Sequence, residues 1–178
     1  MKTLIIYKSK TGNTKAYAED IAKKIGGEVI PLKNFKASKA KDYDTIVFGG
    51  WVLGGTIQGL NKFLEHYNDF KDKNLIVFSV GLSVPTQEGR SILIEQNLLD
   101  MYHIRFYQLR GSFDMKKLHF PYNFMIRSSI KMMTANPDAS TDVESLKSLK
   151  NNPVEVYDSE KIQKIVIVIN SLSVIEAK

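Results

Sequence analysis

Ile5-Ile6-Tyr7-Lys8-Ser9-Lys10-Thr11-Gly12-Asn13-Thr14 carries a short apolar strand straight into a loop of hydroxyls, one glycine and one amide. Behind it, Tyr17, Ile21, Ala22 and Ile25 recur on one face of a helix that Gly26-Gly27 should stop. A strand that empties into such a loop and then a helix N-terminus is suited to holding an anion. The first helical N–H groups have no partner within the helix, and the macrodipole leaves that end partly positive. Ser9, Thr11 and Thr14 add hydroxyl donors, and Gly12 lets the backbone approach closely. The spacing is neither the G-x-x-x-x-G-K-[ST] of a nucleoside-triphosphate loop nor the G-x-G-x-x-G of a dinucleotide fold. An ordinary strand-to-helix turn capped by Asn13 or Thr11 is the plainer reading of the same residues.

Working outward, Thr3–Tyr7, Glu28–Leu32, Thr45–Phe48, Leu75–Val80 and Ile104–Leu109 read as strands. Between them lie helical patterns: Leu60, Phe63, Leu64 and Tyr67, then Glu88–Leu99 with Ile92, Leu98 and Leu99 inward. Asp158–Leu172 should close the fold as a helix with Asp158 at its N-cap. Within it, Ile165–Ile169 is rich in β-branched residues, so a sixth strand stays open there. Strands alternating with helices predict an α/β, doubly wound, five-stranded parallel sheet of order 2-1-3-4-5. Such sheets bind ligands beyond the carboxyl ends of their strands, where three segments converge. These are Ser9–Thr14, the run Gly50-Trp51-Val52-Leu53-Gly54-Gly55 after strand three, and Gly81-Leu82-Ser83-Val84-Pro85 after strand four.

The whole chain, 1–178, is expected to form one domain with residues 112–153 as an insert before the last helix. An insertion of that length is usually functional or disordered. Part of it reads as a helix opened by Pro121, carrying Phe124, Met125, Ile126, Ile130, Met132 and Met133 with Arg127 and Lys131 four apart. An apolar helix with cations is suited to a membrane surface, to covering a hydrophobic ligand, or to packing on its own domain.

The 178 residues include no cysteine, which excludes disulfides, thiolate metal sites and thiol redox chemistry; electrons would need a bound cofactor. No apolar run reaches the roughly 18 residues of a membrane span, and no signal pattern precedes the first strand, so a cytoplasmic location is expected. The formal charge of +6 is spread over scattered lysines rather than a dense run, so nucleic acid is not expected as a partner. His66, His103 and His119 show no metal spacing, and Glu65, Asp69 and Asp72 read as a solvated helix face. No metal site is expected and no catalytic residue is assigned.

The Ser9-x-Thr11-Gly12-x-Thr14 pattern, in the first strand–helix turn, resembles the FMN-phosphate loop of flavodoxins. That resemblance implies the flavodoxin-like fold and FMN as cofactor, held by Ser9, Lys10, Thr11, Gly12, Asn13 and Thr14. The second and third segments would then flank the flavin ring: Trp51 covering it, Val52, Leu53, Gly54 and Gly55 offering backbone at its polar edge, and Gly81, Leu82 and Ser83 on the far side. The chain departs from the pattern in its basic charge, and in a third loop without tyrosine or aspartate. More narrowly, Tyr122-Asn123-Phe124-Met125-Ile126-Arg127, Lys131-Met132-Met133 and Val154-Glu155-Val156-Tyr157-Asp158 resemble the flavodoxin-type, menaquinone-dependent protoporphyrinogen dehydrogenases. These are FMN enzymes that oxidise a porphyrinogen and pass electrons to a membrane quinone. The resemblance implies an FMN-dependent oxidoreductase with a porphyrinogen substrate and a quinone partner. It also implies peripheral membrane contact through the insert helix, and Arg110, Arg127 and Lys131 as carboxylate contacts. A flavodoxin-type electron carrier docking a redox protein, and a nicotinamide-dependent FMN reductase, are the alternatives.

Overall fold

A computed structural model of the chain describes residues 1–102, 104–118, 120–135, 147 and 152–175. His103, His119 and much of the insert's second half lie outside them. The chain divides into two compact units, Met1–Gly111 with Asp158–Lys178, and Ser112–Tyr157.

The first unit is an α/β sheet built from β1 (Thr3–Lys8), β2 (Glu28–Pro31), β3 (Thr45–Leu53), β4 (Thr56–Ile57), β5 (Asn74–Gly81) and β6 (Arg105–Arg110). Five strands run parallel in the order β2-β1-β3-β5-β6, and β4 pairs antiparallel with the end of β3. Setting β4 aside, this is the expected 2-1-3-4-5 order. The central strands are continuous apolar runs because both faces are covered. Leu4, Ile6, Ile46, Phe48, Leu75 and Val77 face one layer, which includes α2 (Leu60–Leu64) and α3 (Gln87–Gln96). Ile5, Val47, Ile76, Phe78 and Val80 face the other, formed by α1 (Asn13–Ile25) and the closing helix, Ser159–Ile175. In the first layer Phe48 stacks on Phe63 at 4.9 Å, and Phe63 on Phe70 at 4.8 Å.

Several local expectations are revised. Gly49-Gly50 does not end strand three; β3 continues through Trp51, Val52 and Leu53, which are strand rather than loop. The glycine pair serves close packing instead. A Cβ at Gly49 would lie 2.2 Å from Phe78 Cζ, and one at Gly50 2.9 Å from the Gln58 carbonyl oxygen. The Leu60–Tyr67 pattern is a five-residue helix followed by a separate 3-10 turn at Tyr67–Asp69. On α3, Ile92 and Leu98 are exposed, not inward; Leu93 and Leu99 are buried. The helix stops at Gln96 and Leu98 takes φ 53°, so Leu98 lies off the helical count, while Ile92 stands on the outer face beside the buried Leu93. At the sheet edge Glu28 accepts hydrogen bonds from Lys39 and Tyr43. Those bonds hold its carboxyl below the ordinary range and push the Tyr43 hydroxyl up to about 12.

The second unit is tied at its ends. Phe113 and Val154 exchange two backbone hydrogen bonds of 2.7 Å, and Ser112 Oγ both donates to and accepts from Val156 at 3.0 Å. Its helix α4 spans Tyr122–Ala135, directly after Pro121. Ser159–Ile175, the last helix of the chain, is α5.

Ile165–Ile169 is helical because its burial has helical period. Ile162, Ile165, Val166, Ile169 and Leu172 are buried while Ile167 is 57% exposed. Packing of that stripe overrides β propensity. Ile165→Ala should therefore cost about 2–5 kcal/mol, and Ile167→Ala no more than about 0.5 kcal/mol, in urea titrations. Equal losses would mean that the two side chains share one buried face, as in a strand.

Candidate functional site

The sheet register brings the three expected segments to one edge. Lys8 is level with Gly50, Trp51 with Val80, and Gly81 with Arg110. All three segments leave the carboxyl ends of their strands there.

The first segment turns on Gly12, which takes φ 96° and stands at the N-cap of α1. Few side-chain-bearing residues adopt that conformation. Neither Asn13 nor Thr11 caps the helix: no side chain does, and the first turn holds no acidic residue. Ser9 Oγ accepts the Gly12 N–H at 3.2 Å, and Asn13 Nδ2 donates to Thr11 Oγ1 at 3.3 Å. Lys10, Thr11 and Gly12 are exposed, Ser9 and Asn13 are half-buried, and Thr14 is buried at the foot of the loop. The positive end of α1 thus lies under a hydroxyl-rich loop without a carboxylate in its first turn to offset it.

The second segment is the tip of a β-hairpin. Val52 pairs with Ile57 and Leu53 with Thr56, leaving Gly54 and Gly55 as a two-residue turn with φ 56° and 77°. Two positive φ values in succession match a type I′ turn, whose twist suits the flanking strands. Trp51, half-buried, lies at the hairpin's base, where its carbonyl accepts the Gln58 N–H at 2.8 Å.

The third segment lies close to the second. A Cβ at Gly81 would sit 3.8 Å from Val52 Cβ. Arg110 Nε donates to the Leu82 carbonyl at 3.1 Å, and the Gly111 N–H to the Gly81 carbonyl at 2.8 Å. Ser83 is exposed. Thr86 then caps α3, its hydroxyl accepting the Gly89 N–H at 3.0 Å. The first segment also reaches this neighbourhood: Asn13 Nδ2 is 3.3 Å from where a Cβ at Gly111 would stand.

Of the expected carboxylate contacts, Arg110 belongs to this edge. Arg127 and Lys131 lie on α4 in the other unit, where Arg127 Nε donates to Asn123 Oδ1 at 2.9 Å. Asp158 precedes α5 as expected, its carbonyl accepting the Ile162 N–H, while its carboxylate accepts the Arg110 N–H at 2.8 Å. Among the described residues no group of three His, Cys, Asp or Glu side chains could hold a metal ion, and no helix is long and apolar enough to cross a membrane.

Sequence reasoning placed Tyr17 only in the core. Its ring is buried, and its hydroxyl donates to the Arg110 carbonyl and accepts the Asp158 N–H, each at 2.7 Å. Burial raises its pKa above the ordinary tyrosine value. Contacts this distant in sequence leave no local signal.

The family model for the flavodoxin domain matches residues 4–142, and the chain belongs to that family. No curated protein matches it significantly. Among solved structures, a flavodoxin from the domain Archaea is 18% identical, covering 85% of this chain and 100% of that one, with a TM-score of 0.47. The WrbA-like flavodoxin from Agrobacterium tumefaciens is 17% identical over 58% of this chain and 74% of that one, with a TM-score of 0.46. Oxidised flavodoxin 2 from Bacillus cereus is 20% identical over 62% of this chain and 84% of that one, with a TM-score of 0.44.

Tyr17→Phe leaves the Arg110 carbonyl and the Asp158 N–H without this partner and should cost about 1–3 kcal/mol at neutral pH. A raised folded-state pKa contributes stability below the unfolded value, about 10, and loses it as pH rises through the folded value. The difference between parent and variant should therefore narrow above about pH 10 in denaturant titrations. A difference unchanged across that range would contradict the assignment.

Proposed function

We propose that this protein binds FMN at the carboxyl edge of its sheet and works as a flavodoxin-domain redox protein. The observation that carries the reading is the first segment: an α1 N-terminus with no side-chain cap and no first-turn acid, beneath the hydroxyls of Ser9, Thr11 and Thr14. Those residues fit a terminal phosphate, and a Cβ on Gly12 would meet nothing within 4 Å, so the loop is open on that side. Bound FMN would supply the electron-accepting chemistry that the side chains of a cysteine-free chain do not offer. The protein's share is to hold the phosphate with Ser9–Thr14 and to flank the ring with Trp51–Gly55 and Gly81–Ser83.

The finer reading is an oxidoreductase of the protoporphyrinogen dehydrogenase type that delivers electrons to a membrane quinone. It is supported by the sequence of the insert and by the exposed face of α4. There Phe124 is 65% and Met132 69% exposed, and Met125, Arg127 and Lys131 are exposed with them. An apolar strip beside cations suits an anionic membrane surface, and the cations suit a carboxylate-bearing tetrapyrrole.

Four measurements test these readings. The purified protein should retain a flavin spectrum after FMN is added and the excess removed. Thr11→Ala with Thr14→Val should then raise the FMN Kd by about two to four orders of magnitude, since each lost hydrogen bond to a charged phosphate is worth about 1.5–3 kcal/mol. Unchanged affinity would sink the cradle. Under anaerobic conditions protoporphyrinogen should reduce the flavin and a quinone reoxidise it; failure, with rapid exchange with a flavoprotein reductase, would favour an electron carrier. Phe124→Ser with Met132→Ser should weaken sedimentation with anionic vesicles about tenfold, and equal binding would remove α4 from membrane contact.

A further inference from the structure

We propose that Asn97 is a positioning residue that locks the tip of the Trp51–Ile57 hairpin to α3 and so sets where Gly54 and Gly55 stand at the edge of the site. The functional half of this inference rests on the FMN reading above. Asn97 follows the last residue of α3, where asparagine is an ordinary helix C-cap. Its side chain does more than end a helix. The residue is 6% exposed, and its carboxamide is engaged at both ends. Oδ1 accepts the Ile57 N–H at 2.8 Å, while Nδ2 donates to the Gly55 carbonyl and to the Leu93 carbonyl, each at 2.8 Å. With an N–H on one side and two carbonyls on the other, only one orientation of the amide satisfies all three.

Neighbouring residues make the junction tight. Gln96 Oε1 lies 1.8 Å from where a Cβ at Gly55 would stand, so the hairpin tip abuts the end of α3 directly. At its other end α3 starts from Thr86, immediately after the third segment, whose Leu82 carbonyl is held by Arg110. The helix spans about 15 Å over its ten residues. It therefore acts as a rigid strut: one end continues from the third segment and the other grips the second. A buried carboxamide with three partners cannot release one of them without leaving a polar group unpaired. Pairing of β3 with β5 sets the base of the hairpin beside the third segment, and Asn97 fixes where its tip stands.

Asn97→Ala and Asn97→Asp in the full-length protein test this. In Asn97→Ala the Ile57 and Gln58 amides should exchange at least about tenfold faster, with Ile5 and Ile6 in β1 unchanged, and the FMN Kd should rise about tenfold with a shifted midpoint potential. Asn97→Asp keeps the acceptor for Ile57 and loses the donor to Gly55, so Ile57 should stay protected while FMN affinity still falls. This second variant decides the matter if the first does not fold. Parental exchange at Ile57 in Asn97→Ala would overturn the lock. Fast exchange with parental affinity and potential would overturn its role at the site. If the parent binds no FMN, the cofactor reading fails by itself, and Ile57 exchange still upholds or overturns the lock.

Discussion

The first unit is assembled from two stretches of chain that residues 112–157 separate, and something must hold the returning helix against the sheet it left. The buried stripe of α5 packs it there, and the Tyr17 hydroxyl ties down the point of return. It bridges the carbonyl of Arg110, where the last strand ends, and the N–H of Asp158, where the chain returns, while the Asp158 carboxylate takes the Arg110 N–H. The bridge is half-buried, and losing it leaves the Arg110 carbonyl and the Asp158 N–H without this partner. Tyr17 is also one helical turn beyond Asn13, so the residue that closes the domain belongs to the helix that the Ser9–Thr14 loop leads into.

Around that point the elements of the edge are tied to one another. The hairpin leans on α3, α3 is capped directly after the third segment, and that segment is tied to β6 through Arg110 and Gly111. Each connection joins backbone on one element to a side chain or backbone on another. Little of the geometry therefore depends on exposed loop tips, whose conformations are usually the least constrained part of a fold.

The sequence announces those features whose cause is local. The strand into Ser9–Thr14, the Tyr17–Ile21–Ala22 stripe and the parallel order all follow from periodicity and from the residues of one turn. Gly49-Gly50 was not legible because a glycine pair looks the same whether the chain turns or a phenylalanine ring needs the space. β4 is two residues long, too short for any alternation to show. Ile165–Ile169 carried a true conflict between β-branched composition and helical spacing, and burial resolved it. Asn97 was out of reach because its partners stand 40 and 42 positions away, and an asparagine after a helix already has a sufficient explanation. The membrane and porphyrinogen readings rest on a helix whose exposed residues the sequence could name but whose exposure it could not.

The paired anchors at Arg110 and Asp158 also bear on how such a chain can change over generations. Arg110 and Asp158, on either side of the 112–157 segment, are fastened to one hydroxyl, so the chain leaves the sheet and returns to it at neighbouring points. The entropy of closing a loop grows only with the logarithm of its length. A segment between such anchors can be lengthened or shortened at small entropic cost. The position is a graft point, at which new recognition can be tried without renegotiating the core.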